Sequence, residues 1–233
     1  MSNNDVSPVQ LNIDGHLIPG EVRALYSEGK QVPADLLVGS NSDEGVNLAF
    51  GPPESAAAFR AGVRIRYGDF AARFLKLYPA NSDAQARQSQ LRLRSDDVSW
   101  RMVSWARFQS QRGVRHVYLY RFSTVPPFRP WAQLHAAGHG AELPYVFGFP
   151  PVELLFKNEP AEEAALHARI EDEIQSYWTN FAKTGDPNAP GLPPWPEFND
   201  ESEQILNMGN TFRAGGLPNQ AALGLLDTYH DSP

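Results

Sequence analysis

The 233-residue sequence contains no cysteine. That excludes disulfides, thiolate nucleophiles and cysteine-ligated metals, and it fits a reducing compartment, so a cytoplasmic protein is expected. Positive charge is in deficit too: 20 Lys and Arg stand against 27 Asp and Glu, for a net charge of −7. A basic footprint for nucleic acid or for an anionic membrane surface is missing, and neither is expected as a partner. No apolar run approaches the roughly 18 residues that would cross a bilayer. The opening MSNNDVSPVQ has neither a basic region nor an apolar one, so no signal peptide is expected. No spacing points to zinc, to a calcium loop or to a phosphate-cradling glycine loop, and no metal or cofactor is expected.

What is present is a globular composition, 42% apolar, 20% charged and 11% aromatic, enough to build a core. Twenty prolines and 18 glycines predict many loops. ADLLVG (34–39) reads as a strand buried on both faces, as parallel strands are. Helix and loop material follows; within it, Phe70, Phe74 and Leu77 share a face before Pro79. DDVSWRMVSWARFQSQRG (96–113) predicts a helix opened by an Asp pair and closed by Gly113, with Val98, Met102, Trp105 and Ala106 on one face. HVYLYRFS (116–123) is β-branched and aromatic, a second strand. The clearest helix is 161–183, where Leu166, Ile170, Ile174, Tyr177, Trp178 and Phe181 recur at steps of three and four. EQILNMG (203–209) is a last short strand. Strands separated by helices predict an α/β fold with a mostly parallel sheet flanked by helices. No linker divides the chain, so residues 1–233 are expected to form a single domain.

Two loops carry candidate chemistry. The first strand runs into SNSDEG (40–45), which sets carboxylates at the carboxyl edge of the sheet, where open α/β sheets put their sites. The loop after strand 116–123 carries GHGAELPYVFG (138–148), with His139 between two glycines. Histidine titrates near neutral pH and flanking glycines permit a tight, closely approached loop, which suits a base presented at a sheet rim and also suits a plain turn.

VGSNSDEG, YLYRF, GHGAELPYVFG and WTNFAKTGDPNAPGLPPWPEF stand here in an order that resembles the type-B carboxylesterases, the cholinesterase-like branch of the α/β-hydrolases. The resemblance runs from about Val9 to Phe212. It implies acyl transfer on a carboxylic ester, with Glu44 as the acid and His139 as the histidine of a Ser-Glu-His triad, in the chain order that this fold uses. Asp43 competes with Glu44 as a helix cap or as the acid, and His135 is the nearest rival to His139. Glu142 is read as part of a buried polar network, and Asp97 as a cap or salt-bridge partner. Phe128, Trp131 and Phe149 either line a pocket or simply pack.

The nucleophile is missing. No G-x-S-x-G pentapeptide and no HGGG-type loop occurs, and none of Ser2, Ser7, Ser27, Ser40 or Ser42, which precede Glu44, sits in such an elbow. The chain is therefore expected to be the C-terminal portion of an α/β-hydrolase fold, its nucleophile-bearing N-terminal half absent, and inactive alone. Strand 34–39 would lack a neighbour, exposing Leu36, Leu37 and Val38 and inviting self-association or a missing N-terminal half. The alternative is a non-catalytic binding module, since some cholinesterase-like proteins, the neuroligins among them, have lost the serine.

Overall fold

Strand β2 (Val117–Phe122) shows why two helical layers form. Its side chains alternate between the two faces of the sheet, and both kinds are buried: Val117 and Leu119 on one face, Tyr118 and Phe122 on the other. The computed structural model describes residues 12–46, 55–113, 115–127, 131–149 and 160–232, without the side chains of Trp131 and Gln133. In it β2 lies between β1 (Leu36–Asn41) and β3 (Ile205–Met208), parallel to both. A fourth strand, β4 (Phe212–Gly215), pairs antiparallel with β3, giving the order β1-β2-β3-β4.

On the first face Val38, Val117, Leu119 and Ile205 share one core with Trp100 and Val103 of the helix Asp83–Ser110, which lies on β1 and β2, and with Phe59 and Val63 of the helix Ala56–Tyr67 and Leu223 and Leu226 of the helix Gln220–His230, which pack on that helix. The second face packs Tyr118, Phe122, Leu206 and Met208 against Ile170, Ile174 and Tyr177 of the helix Ala161–Thr184, and against Trp195. Each such side chain contributes roughly 1.5–3 kcal/mol on full burial, so both helical layers are bound firmly to the sheet. This is the expected α/β arrangement with a mostly parallel sheet flanked by helices.

Several boundaries differ from expectation. The helix expected at 96–113 begins at Asp83, because the Ser82 hydroxyl caps it by accepting the Gln85 N–H at 3.2 Å. Asp96 and Asp97 are therefore interior. Asp96 accepts from the Tyr78 hydroxyl at 2.7 Å and from Asn219 Nδ2 at 2.6 Å, and Asp97 pairs with Arg101 at 3.1 Å. Trp105, expected inside, is exposed, and Trp100 takes the buried place. The helix Ala161–Thr184 ends as expected at Gly185, whose φ of +79° terminates it.

The first strand sits two residues later than 34–39, and its side chains are not exposed. Val38 is buried, and Leu36 and Leu37 pack on the two cores. The reason is geometric: side chains at a sheet edge still point to the faces, so an unpaired edge exposes backbone. β4 and the helix Gln220–His230 were not expected.

Candidate active site

The carboxyl ends of β1 and β2 bring the two loops together. Asp43 and Gly138 form an isolated parallel bridge. Around it the Asp43 N–H donates to the Ala137 carbonyl at 3.0 Å, the Ala137 N–H to Asp43 Oδ2 at 3.1 Å, and the His139 N–H to the Val46 carbonyl at 3.3 Å. Gly45 is forced by packing: a Cβ there would lie 2.2 Å from the backbone oxygen of Leu91 on the helix Asp83–Ser110. Its N–H donates to the Ser95 hydroxyl at 2.9 Å, which fixes the turn after the acid. Gly140 has φ of +79°, the left-handed region that favours glycine, and lets the chain turn away after His139.

This frame sets Glu44 Oε2 2.7 Å from His139 Nδ1. The second oxygen, Oε1, accepts the Asn41 N–H at 2.8 Å. A carboxylate only accepts, so the ring donates from Nδ1 and a neutral imidazole then presents a lone pair on Nε2. Burial differs sharply across the pair: the Glu44 side chain is 7% exposed and the His139 side chain 61% exposed. An acid sealed inside and a base turned outward can take a proton from an incoming hydroxyl and hold the resulting cation.

Neighbouring groups are shaped by the same environment. Burial pushes the Tyr120 phenol above its usual range, and the carboxylates of Glu142 and Glu44 push the same way. Burial lowers the pKa of the half-buried Arg121, opposed by Asp43 and Asp96. Among the described residues no group of three or more histidines, aspartates or glutamates is placed to hold a metal ion. No described helix is long and apolar enough to cross a membrane.

Of the residues singled out from the sequence, Glu44 and His139 are in contact. The Asp43 carboxylate accepts from the Ala137 N–H and from the Ser42 hydroxyl at 2.6 Å rather than from the ring, and any helix it would cap falls on residues 47–54, outside the described ones. His135 is exposed, with φ of +48°, at the end of the short helix Trp131–Leu134. Glu142 accepts from Asn41 Nδ2, the polar-network role expected for it. Phe149 is exposed, Phe128 lies outside the described residues, and so does the Trp131 side chain. Sequence reasoning passed over Asn41, although it stands inside the SNSDEG motif. Its signal was its place at the strand end, two residues before Asp43 and three before Glu44.

Residues 1–224 match the carboxylesterase family. The chain is 31% identical to the para-nitrobenzyl esterase of Bacillus subtilis over 83% of its own length and 38% of that protein. It is 28% identical to human neuroligin-2 over 89% of its own length, a match that spans 30% of neuroligin-2. A solved PNB esterase structure superposes with a TM-score of 0.73 at 26% identity, over 93% of this chain and 43% of that one. The chain thus spans less than half the length of these relatives. It belongs to the carboxylesterase family.

Proposed function

We propose that this carboxylesterase-family chain supplies the acid, Glu44, and the base, His139, of a Ser-Glu-His triad in a carboxylic ester hydrolase. The serine comes from polypeptide outside these 233 residues, and the chain alone is inactive. One observation carries this reading: a buried Glu44 lies 2.7 Å from Nδ1 of an outward-facing His139, at the carboxyl edge of a parallel sheet.

In the reaction, His139 Nε2 takes the serine proton as the serine oxygen attacks the ester carbonyl. The protonated ring then gives that proton to the departing alkoxide, leaving an acyl-serine and an alcohol. Water repeats the cycle, releasing the acid and restoring the serine. Glu44 holds the ring and stabilises its cationic form. The occupant proposed for the open edge of β1 is the N-terminal half that carries the serine, with a second copy of the chain as its substitute in isolation.

Co-expression with a family N-terminal half bearing the serine elbow tests this. Hydrolysis of short-chain nitrophenyl esters is expected, with para-nitrobenzyl esters as a second substrate prompted by the Bacillus relative. His139→Ala should lower the rate roughly 10²–10⁴-fold. A folded, stoichiometric complex that hydrolyses neither ester would sink the reading. A second reading, a non-catalytic binding module, draws on the missing elbow and on the 28% identity with neuroligin-2 across 89% of the chain. A specific protein captured by the chain, with esters ignored by the reconstituted complex, would favour it.

A further inference from the structure

We infer that Asn41 is the positioning residue of this site, its three N–H donors holding acid and base in register. The geometry belongs to this chain alone; its catalytic consequence rests on the triad reading above.

Asn41 is the last residue of β1 and is 2% exposed. In a parallel pair, alternate residues direct their backbone groups to the same neighbour. The Leu36 N–H donates to the His116 carbonyl and the Ser42 N–H to the Phe122 carbonyl, both at 2.8 Å. The Asn41 N–H therefore points away from β2, and there it meets Glu44 Oε1 at 2.8 Å. That bond leaves Oε2 for His139.

The side chain does the complementary work. Nδ2 donates to the Gly138 carbonyl at 2.8 Å and to Glu142 Oε2. The first partner is the residue before His139, and the second is the residue before the helix Leu143–Phe147. Both partners accept, so the amide has one workable orientation; reversed, its oxygen would face a carbonyl and a carboxylate. Apart from the Glu44–His139 bond itself, the remaining ties between the loops among the described residues run through Asp43, Ala137 and Val46, and none of these touches Glu44. Losing the Asn41 side chain would leave the histidine loop attached but would free the peptide that aims the ring.

The test separates donors from shape. Asn41→Asp keeps the size and removes the side-chain donors, and Asn41→Ala removes both size and donors. In the full chain with 15N-labelled histidine, the wild type should show a downfield, slowly exchanging Nδ1 proton on His139. Both variants should lose that signal while keeping a cooperative thermal transition. Retention of the signal in the folded variants overturns the inference. Should neither variant fold, Glu142→Ala is read instead: at least about tenfold faster exchange of the Nδ1 proton supports the inference and unchanged exchange overturns it.

In the complex with the serine-bearing half, Asn41→Asp should lower kcat by about 10–100-fold, as misplacement does, with KM changed little. A purely structural residue would lower the amount of folded complex and leave kcat per folded site unchanged. A wild-type complex that hydrolyses no ester sinks the esterase reading and leaves the resonance result standing. An active complex in which Asn41→Asp keeps both kcat and the resonance sinks the positioning role alone.

Discussion

Each oxygen of Glu44 meets a donor, the Asn41 N–H at 2.8 Å and the His139 ring at 2.7 Å. Glu44→Gln keeps the shape of the side chain but gives it one acceptor and one NH₂. Whichever way the amide turns, a donor faces a donor. The backbone N–H cannot change, so the ring must switch tautomer and lose the lone pair on Nε2. In the reconstituted complex, Glu44→Gln should therefore lower kcat on a nitrophenyl ester by roughly 10⁴, the scale known for a wrong-tautomer triad. Asp43→Asn is the contrast. Its amide oxygen can still accept the Ala137 N–H, now made at 3.1 Å. Its effect should be smaller than that of Glu44→Gln by more than tenfold, on the order of one neutral hydrogen bond. Steady-state kinetics of the two variants side by side decides between adjacent carboxylates, and equal losses would return Asp43 to contention.

The helix Gln220–His230 is held by the helix Asp83–Ser110 through a polar seam. Trp100 Nε1 donates to Asp227 at 2.8 Å, Arg107 pairs with Asp227 at 2.9 Å, and the His230 ring stacks on Trp100 at 4.0 Å between centroids. Burial pushes the His230 imidazole below its ordinary 6.5, with Arg23, Arg101 and Arg66 acting the same way against Asp97. The unfolded chain then binds the proton more readily than the folded one. The seam's contribution is full above about pH 6.5 and is lost as pH falls through the lower folded value. His116 has the opposite sign, raised by its hydrogen bond to Glu197, but it is exposed and contributes little. The thermal midpoint should fall between about pH 7.5 and 5.5, and His230→Phe, which keeps the ring, should show a shallower fall; parallel curves would refute the seam's pH sensitivity. This helix also marks the limit of what the sequence revealed. Asn219 makes no side-chain cap bond and Gly224 interrupts the interior, so neither a start signal nor an unbroken face announced it. β4 was equally silent, because a four-residue strand with exposed Arg213 and Ala214 has no pattern apart from its pairing with β3. The parallel strands and the helix Ala161–Thr184 were legible through buried runs and a four-residue period. Glu44 and His139 were legible from motif order, whereas the Asn41 bond to Gly138 joins residues 97 apart and depended on the finished fold.

At the scale of the molecule, the sheet has two edges among the described residues: β1 and β4 each have one neighbour, and the edge at β1 is the parallel one beside the candidate site. Near the histidine loop, Leu143, Phe147 and Phe149 are exposed at 48%, 74% and 76%. A lone exposed apolar residue is ordinary, but three of them within seven residues, on a molecule that also carries an unpaired parallel edge, call for a covering surface. The relatives supply a scale for it, since the matched PNB esterase structure is covered over only 43% of its chain. Parallel pairing makes the edge testable residue by residue. Leu36, Val38 and Ser40 direct their N–H groups to β2, and Leu37 and Gly39 direct theirs outward. Hydrogen exchange on the isolated chain should find Leu36, Val38 and Ser40 protected, and Leu37 and Gly39 fast, at concentrations where sedimentation shows a monomer. Adding the serine-bearing half, or raising the concentration until the chain dimerises, should slow Leu37 and Gly39 and leave the other three unchanged. Slow exchange at all five in the dilute monomer would mean that something within the chain already covers the edge. The docking surface would then have to be sought on the exposed apolar residues of the histidine loop.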